Sequence, residues 1–318
     1  MVRLMGQRLI KALKAINFIS GKNMTEEELI KHRRMVEWVG SMATPKGDVK
    51  IRKFSVNGIP CEAVRPEFAH NPQYGILYAH GGGYFAGGLD YARVLAVKMA
   101  LATGFTTYSF AYRLAPEHPY PAALEDGEAV WEYLTKDKYL PEKLILAGDS
   151  AGGNLALCLT QKLKVQNRAL PQSLILFSPW TDMTGTAVSY ETNKDIDPIL
   201  TRDYVMCGAG AYTSGMRFDP DNENKEAELA EADLADPKFS PLYGDLTGMP
   251  PVYIMAGRNG ILLDDSIRLR DSIIEAGGKA HLDIEDNGWH VYQQMPIPIA
   301  AKAMKRLAKH VSEMIYKS

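Results

Sequence analysis

The first apolar positions of the chain, Val2, Met5, Leu9, Leu13 and Ile16, are spaced by three and four residues, the period of one helix face. Arg3, Arg8, Lys11 and Lys14 interrupt the run, so the segment is expected to pack over the body of the protein rather than insert stably in a membrane. A second helix is expected over 24–40, with Thr25 as N-cap ahead of Glu26, Glu27 and Glu28. The period then shortens to that of strands. VKIRKFSV (49–56) and IPCEAVRP (59–66) flank Asn57-Gly58, a two-residue hairpin turn. Six apolar runs of buried-strand length follow, each trailed by a helical stretch: YGILYAH (74–80), TTYSFAY (106–112), KLILAGD (143–149), SLILFSP (173–179), PVYIMAG (251–257) and AHLDIED (280–286).

Strands buried on both faces with helices between them predict an α/β protein built on a mostly parallel sheet. The hairpin adds an antiparallel edge, which makes eight strands, and a helix over 298–317 closes the chain. One interval breaks the rhythm. Between SLILFSP and PVYIMAG lie about seventy residues with no convincing strand, of which 219–236 hold eight acids and one lysine. Such a run reads as a solvated helical face. The interval is expected to cover the carboxyl edge of the sheet together with the N-terminal helices.

Length and composition add bounds rather than detail. A chain of 318 residues, 46% hydrophobic and 23% charged, fits one large domain or two smaller ones. A net charge of −2 without a basic stripe gives no reason to expect nucleic acid. Cys61, Cys158 and Cys207 are odd in number and far apart, which points to a reducing, cytoplasmic compartment and not to a disulfide framework. No CxxC, HExxH or closely spaced histidine pair occurs, so no metal is expected.

Chemistry enters where strand KLILAGD runs into GDSAGGN (148–154) and then a helical stretch. Gly148-Asp149-Ser150-Ala151-Gly152 is a G-x-S-x-G pattern between strand and helix. A serine on so sharp a turn is a nucleophile candidate, because glycines permit the close approach and the helix N-terminus favours developing negative charge. The loop His80-Gly81-Gly82-Gly83 ends the third strand. Its G-x-G-x-x-A spacing invites a dinucleotide reading, but the next strand ends without the acid that reading requires. An oxyanion hole fits better, with Gly82, Gly83 and Ala151 as N–H donors and His80 in a structural role.

With both motifs in hand, HGGGY (80–84), YRLAPEHPYPAALED (112–126), GDSAGGN (148–154) and SPWTDM (178–183) resemble the bacterial hormone-sensitive-lipase-like esterases of the α/β-hydrolase superfamily. The resemblance spans roughly residues 70 to 310. It implies an α/β-hydrolase fold with a helical cap formed by 1–45 and the insertion 185–235, around a core of 46–184 and 236–318. It further implies hydrolysis of short-chain carboxylic esters, small-molecule substrates and no cofactor, with a homodimer as one possible state. Arg113 and Glu117 are expected to hold the loop beneath the site. Tyr84, Phe85 and Trp180 are candidate walls of the substrate pocket.

In such a fold the triad runs in the order Ser, acid, His. EDNGWHVYQQMP (285–296) resembles the family's histidine loop, which makes His290 the candidate base. The acid belongs in a G-x-x-D/E-x-L pattern, and Gly257-Arg258-Asn259-Gly260-Ile261-Leu262 fits every fixed position except that one. The acid position is Gly260. Asp264 could serve as a surrogate from one helical turn further on, although Asp264 and Asp265 also read as carboxylates capping the following helix. Glu285 and Asp286 lie close before His290 in sequence. The remaining readings are a Ser–His dyad without an acid and a variant of a parent bearing an acid at 260. A weakened or variant triad is preferred to a relocated acid, so reduced activity is expected.

Overall fold

The computed structural model describes residues 25–45, 47–68, 70–214 and 232–316. The helix expected over 2–16, and the acid-rich run as far as residue 231, lie outside the described residues. Strands β1 (Val49–Val56), β2 (Ile59–Pro66), β3 (Gly75–Ala79), β4 (Thr106–Phe110), β5 (Leu144–Asp149), β6 (Leu174–Phe177), β7 (Val252–Gly257) and β8 (Ala280–Glu285) form one sheet in the order β1-β2-β4-β3-β5-β6-β7-β8. β2 pairs antiparallel with β1 and with β4, and every other pairing is parallel. All eight expected strands are present.

The inner strands are buried along their whole length because alternate side chains feed two separate cores. Ile76, Tyr78, Ile145, Ala147, Ile175 and Phe177 pack with helices α2 (Leu89–Thr103) and α8 (Pro298–Tyr316). Leu77, Ala79, Leu144, Leu146, Leu174 and Leu176 point the other way, toward α3 (Ala122–Asp137), α4 (Ala151–Val165) and α7 (Leu263–Glu275). Truncating any one of these leucines to alanine removes a share of the core worth about 2–5 kcal/mol. Edge strand β8 is only partly buried.

Helix α1 (Glu26–Ala43) begins at the N-cap expected at Thr25, and in a capping box: the Thr25 hydroxyl accepts the Glu28 N–H while the Glu28 carboxylate accepts the Thr25 N–H. The long interval contains α5 (Ser189–Thr192) and α6 (Arg202–Ser214), with no strand among the described residues. No helix among them is long and apolar enough to cross a membrane.

Candidate active site

Ser150 occupies the turn between β5 and α4 at φ +52°, ψ −120°, a left-handed conformation that a residue with a side chain adopts only under constraint. The constraint comes from close packing around it. A Cβ on Gly152 would lie 2.1 Å from the Ala79 carbonyl oxygen, and one on Gly148 would lie 2.1 Å from the Gly152 oxygen. Nothing larger than glycine fits at either place. The Ser150 N–H donates to the Phe177 carbonyl and its own carbonyl accepts from Trp180, both at 3.0 Å, so β6 and its following loop also hold the turn.

The glycine loop after β3 is fastened to the same turn through Asp149. Its carboxylate accepts the Gly81 N–H at 2.8 Å and the hydroxyls of Tyr78 and Tyr91 at 2.5 and 2.7 Å. Burial pushes the carboxyl up to about 6 while these donors pull it back. Gly82, at φ +107°, would place a Cβ 2.2 Å from the Ala86 oxygen, so this turn too excludes any side chain. The N–H groups of Gly82, Gly83 and Ala151 take no protein acceptor among the described residues. His80 stacks on Tyr112 with ring centres 4.2 Å apart, its Nδ1 lies 2.7 Å from the Gly81 oxygen, and burial lowers it to about 4.

Helix α1 braces the far side of this loop. Arg33 donates to the Phe85 and Ala115 carbonyls and forms a two-bond pair with Glu117, all at 2.7 Å. Glu37 accepts the Asp90 and Tyr91 N–H groups at the start of α2. Arg113 pairs instead with Asp126 and Glu125.

The expected pocket walls are closely packed. Tyr84 and Phe85 are fully buried and Trp180 is 2% exposed. Tyr84 stacks on Tyr212 at 3.7 Å and donates to Asn154, Phe85 packs on Tyr204, and Trp180 donates its ring N–H to the Asp182 carbonyl. Asn154 in turn donates to the Trp180 and Phe239 carbonyls. Tyr84 and Phe85 stack on other rings and Trp180 is buried, so all three support the site as core.

His290 follows β8 and is 5% exposed. Its loop is pinned to the nucleophile side by the Val291 N–H, which donates to the Ser178 hydroxyl at 3.2 Å. Behind it, the Lys98 ammonium donates to the carbonyls of Gln293, Gln294 and Met295 at 2.6–3.0 Å. Burial lowers the imidazole to about 3, and Nδ1 has no hydrogen-bond partner. Position 260 lies against this residue's backbone, since a Cβ on Gly260 would lie 3.2 Å from the His290 main-chain nitrogen.

None of the acids weighed from sequence bonds to Nδ1. Asp264 accepts the Ser189 N–H at 2.8 Å, Glu285 pairs with Arg306 at 3.3 Å and Asp286 with Arg258 at 2.6 Å. Asp264 and Asp265 lie inside the first turn of α7 and do not cap it, the N-cap being Leu262. Asp265 accepts the Thr181 and Asp182 N–H groups at 2.7 and 3.0 Å. Sequence reasoning missed a further buried carboxylate beside this loop, Asp197, whose Oδ2 accepts the Ile261 N–H at 3.0 Å.

A family model described as the alpha/beta hydrolase fold matches residues 76–294. The chain belongs to the α/β-hydrolase family. An esterase of Acinetobacter venetianus is 32% identical over 268 residues, covering 84% of this chain and 83% of the relative. An acetyl-hydrolase of Streptomyces hygroscopicus is 31% identical, covering 89% and 88%. The solved structure of an esterase from the bacterial hormone-sensitive lipase family superposes with a TM-score of 0.85 at 30% identity, covering 97% of each chain. This α/β-hydrolase is accordingly a serine ester hydrolase of the hormone-sensitive-lipase-like kind, as the two glycine motifs implied.

Proposed function

We propose that this hydrolase cleaves short-chain carboxylic esters through an acyl-enzyme on Ser150. The carrying observation is Ser150 itself, held at φ +52° on the strand-to-helix turn beside unpaired N–H donors. Its Oγ attacks the acyl carbon while His290 Nε2 takes the hydroxyl proton. The N–H groups of Gly82, Gly83 and Ala151 receive the oxyanion. His290 returns the proton to the departing alcohol, and water then repeats the sequence to free the acid. The described helices α1, α5 and α6 belong to the cap that limits chain length, and the protein works in the cytoplasm on small esters.

A fluorophosphonate should label Ser150, located by peptide mass spectrometry, and block hydrolysis of p-nitrophenyl acetate and butyrate. Activity that survives Ser150→Ala would refute the assignment. A preference for long-chain esters over butyrate would refute the substrate class.

A further inference from the structure

With glycine at 260, and with Asp264, Glu285 and Asp286 each turned to other partners, His290 has no carboxylate from any place the sequence suggested. Its buried Nδ1 is nonetheless unpaired. For Nε2 to take the serine proton, Nδ1 must already carry its hydrogen, and this buried donor requires an acceptor, the more so when acylation makes the ring a cation.

Asp197 approaches from the insertion. Its Oδ1 accepts the Ile199 and Leu200 N–H groups at 2.9 and 3.2 Å, and its Oδ2 accepts from Ile261, the residue after Gly260. The main-chain N–H of His290 also stabilises this carboxylate. Within one histidine, the main-chain nitrogen and Nδ1 are separated only by Cα, Cβ and Cγ. A carboxylate near the first is a side-chain rotation from the second. Position 260 borders the same place, since a Cβ there would stand 3.2 Å from the His290 main-chain nitrogen. Two residues hold the insertion in place: Asn193 donates to the Arg258 and Gly260 carbonyls, and Ser189 donates to that of Ile261.

We propose that Asp197 stands in for the missing triad acid, receiving a hydrogen bond from His290 Nδ1 and stabilising the imidazolium. The inference rests on the Ser150–His290 reading above and reverses the preference for a weakened triad. Asp197 acts through His290 and is a positioning residue. It holds the Nδ1 proton without taking it, while the serine proton passes through Nε2 to the alcohol. Burial raises its carboxyl to about 6, so it is charged above neutrality.

The test compares the parent, Asp197→Asn, Gly260→Asp and the double variant above neutral pH, with Ser150→Ala as blank. Asp197→Asn should lower kcat on p-nitrophenyl butyrate by about 10³-fold or more while KM changes little, by analogy with loss of a triad acid. Gly260→Asp should give the parent no gain, because it adds a second carboxylate, yet recover about 10² or more of the rate in the double variant. A merely structural tether would not be repaired this way. A gain of orders of magnitude from Gly260→Asp in the parent would overturn the proposal, since it would mean that His290 lacked an acid. If Asp197→Asn does not fold, the parent decides. Labelled with ¹⁵N-histidine and phosphonylated on Ser150, it should show a strongly deshielded Nδ1 proton, and absence of that resonance overturns the proposal. A parent no faster than Ser150→Ala would overturn the ester-hydrolase site together with this inference, a result distinct from either failure of Asp197 alone.

Discussion

Around Ser150, the groups that fix the geometry come from contiguous motifs: β3 runs into the glycine loop, β5 into the nucleophile turn, and Asp149 joins the two through Gly81, Tyr78 and Tyr91. Around His290 the same task falls to three distant segments, 189–197, 257–261 and 285–291, joined by Asn193, Ser189 and Asp197. On the first side the carboxylate that links the motifs has three donors. On the second, the central nitrogen has none. A side built from motifs tolerates little, because backbone fills the space at Gly82, Gly148 and Gly152, whereas on the other side it does so at Gly257 but not at Gly260. A side assembled from tethers can exchange one carboxylate source for another.

That contrast can be broken experimentally. The largest expected effect is Ser150→Ala, which should lower kcat by about 10⁵-fold or more toward the residual set by binding and the oxyanion donors. Hydrolysis of p-nitrophenyl butyrate measures it. Gly82→Ala comes next. Its methyl would meet the Ala86 oxygen at 2.2 Å at a φ of +107°, so the loop must rearrange and kcat should fall about 10²–10³-fold.

Asp149→Asn should lower stability by about 1–3 kcal/mol in denaturant melts, since an amide cannot satisfy three donors. Its deficit should depend on pH. The folded carboxyl titrates at about 6, above its ordinary 3.8, so its contribution to parent stability falls as pH rises through that window and is then constant. The variant lacks this slope, so its deficit should be largest at the acid end and should shrink toward neutrality. A deficit that grows with pH would show that the carboxylate is held ionised. The smallest effect belongs to Gly260→Ala. The added methyl needs a shift of a few tenths of an ångström and no unusual φ, so kcat should change by less than about threefold. A large loss would mean that the histidine side is as tightly filled as the nucleophile side.

The same contrast explains what the sequence made legible. All eight strands, the Thr25 N-cap and the closing helix follow from periodicity and turn chemistry, which are local. Ser150 and the glycine loop were equally readable because their residues are consecutive. Asp149 was only a free position of a pattern, yet it is the link between the two motifs. The roles of Tyr84, Phe85 and Trp180 depend on what packs against them from α6, α1 and the loop after β6, which no spacing encodes. Asp197 sits 93 positions before His290 in an interval without strong periodicity, and only the folded path of 189–200 brings it to the Ile261 N–H.

One consequence follows from the Asn193 amide, whose two hydrogens reach the Arg258 and Gly260 carbonyls. It makes the insertion and the loop after β7 a single unit attached to the sheet at its rim. On heating, that rim should loosen before the doubly covered strands do, because side-chain hydrogen bonds rather than strand pairing tie its backbone to the sheet. Catalysis should then fade at a temperature where the sheet is still intact, and return on cooling without any refolding of the core. For this enzyme, the temperature at which turnover stops would measure how firmly one asparagine grips two carbonyls, and the melting of the sheet would be a separate, later event.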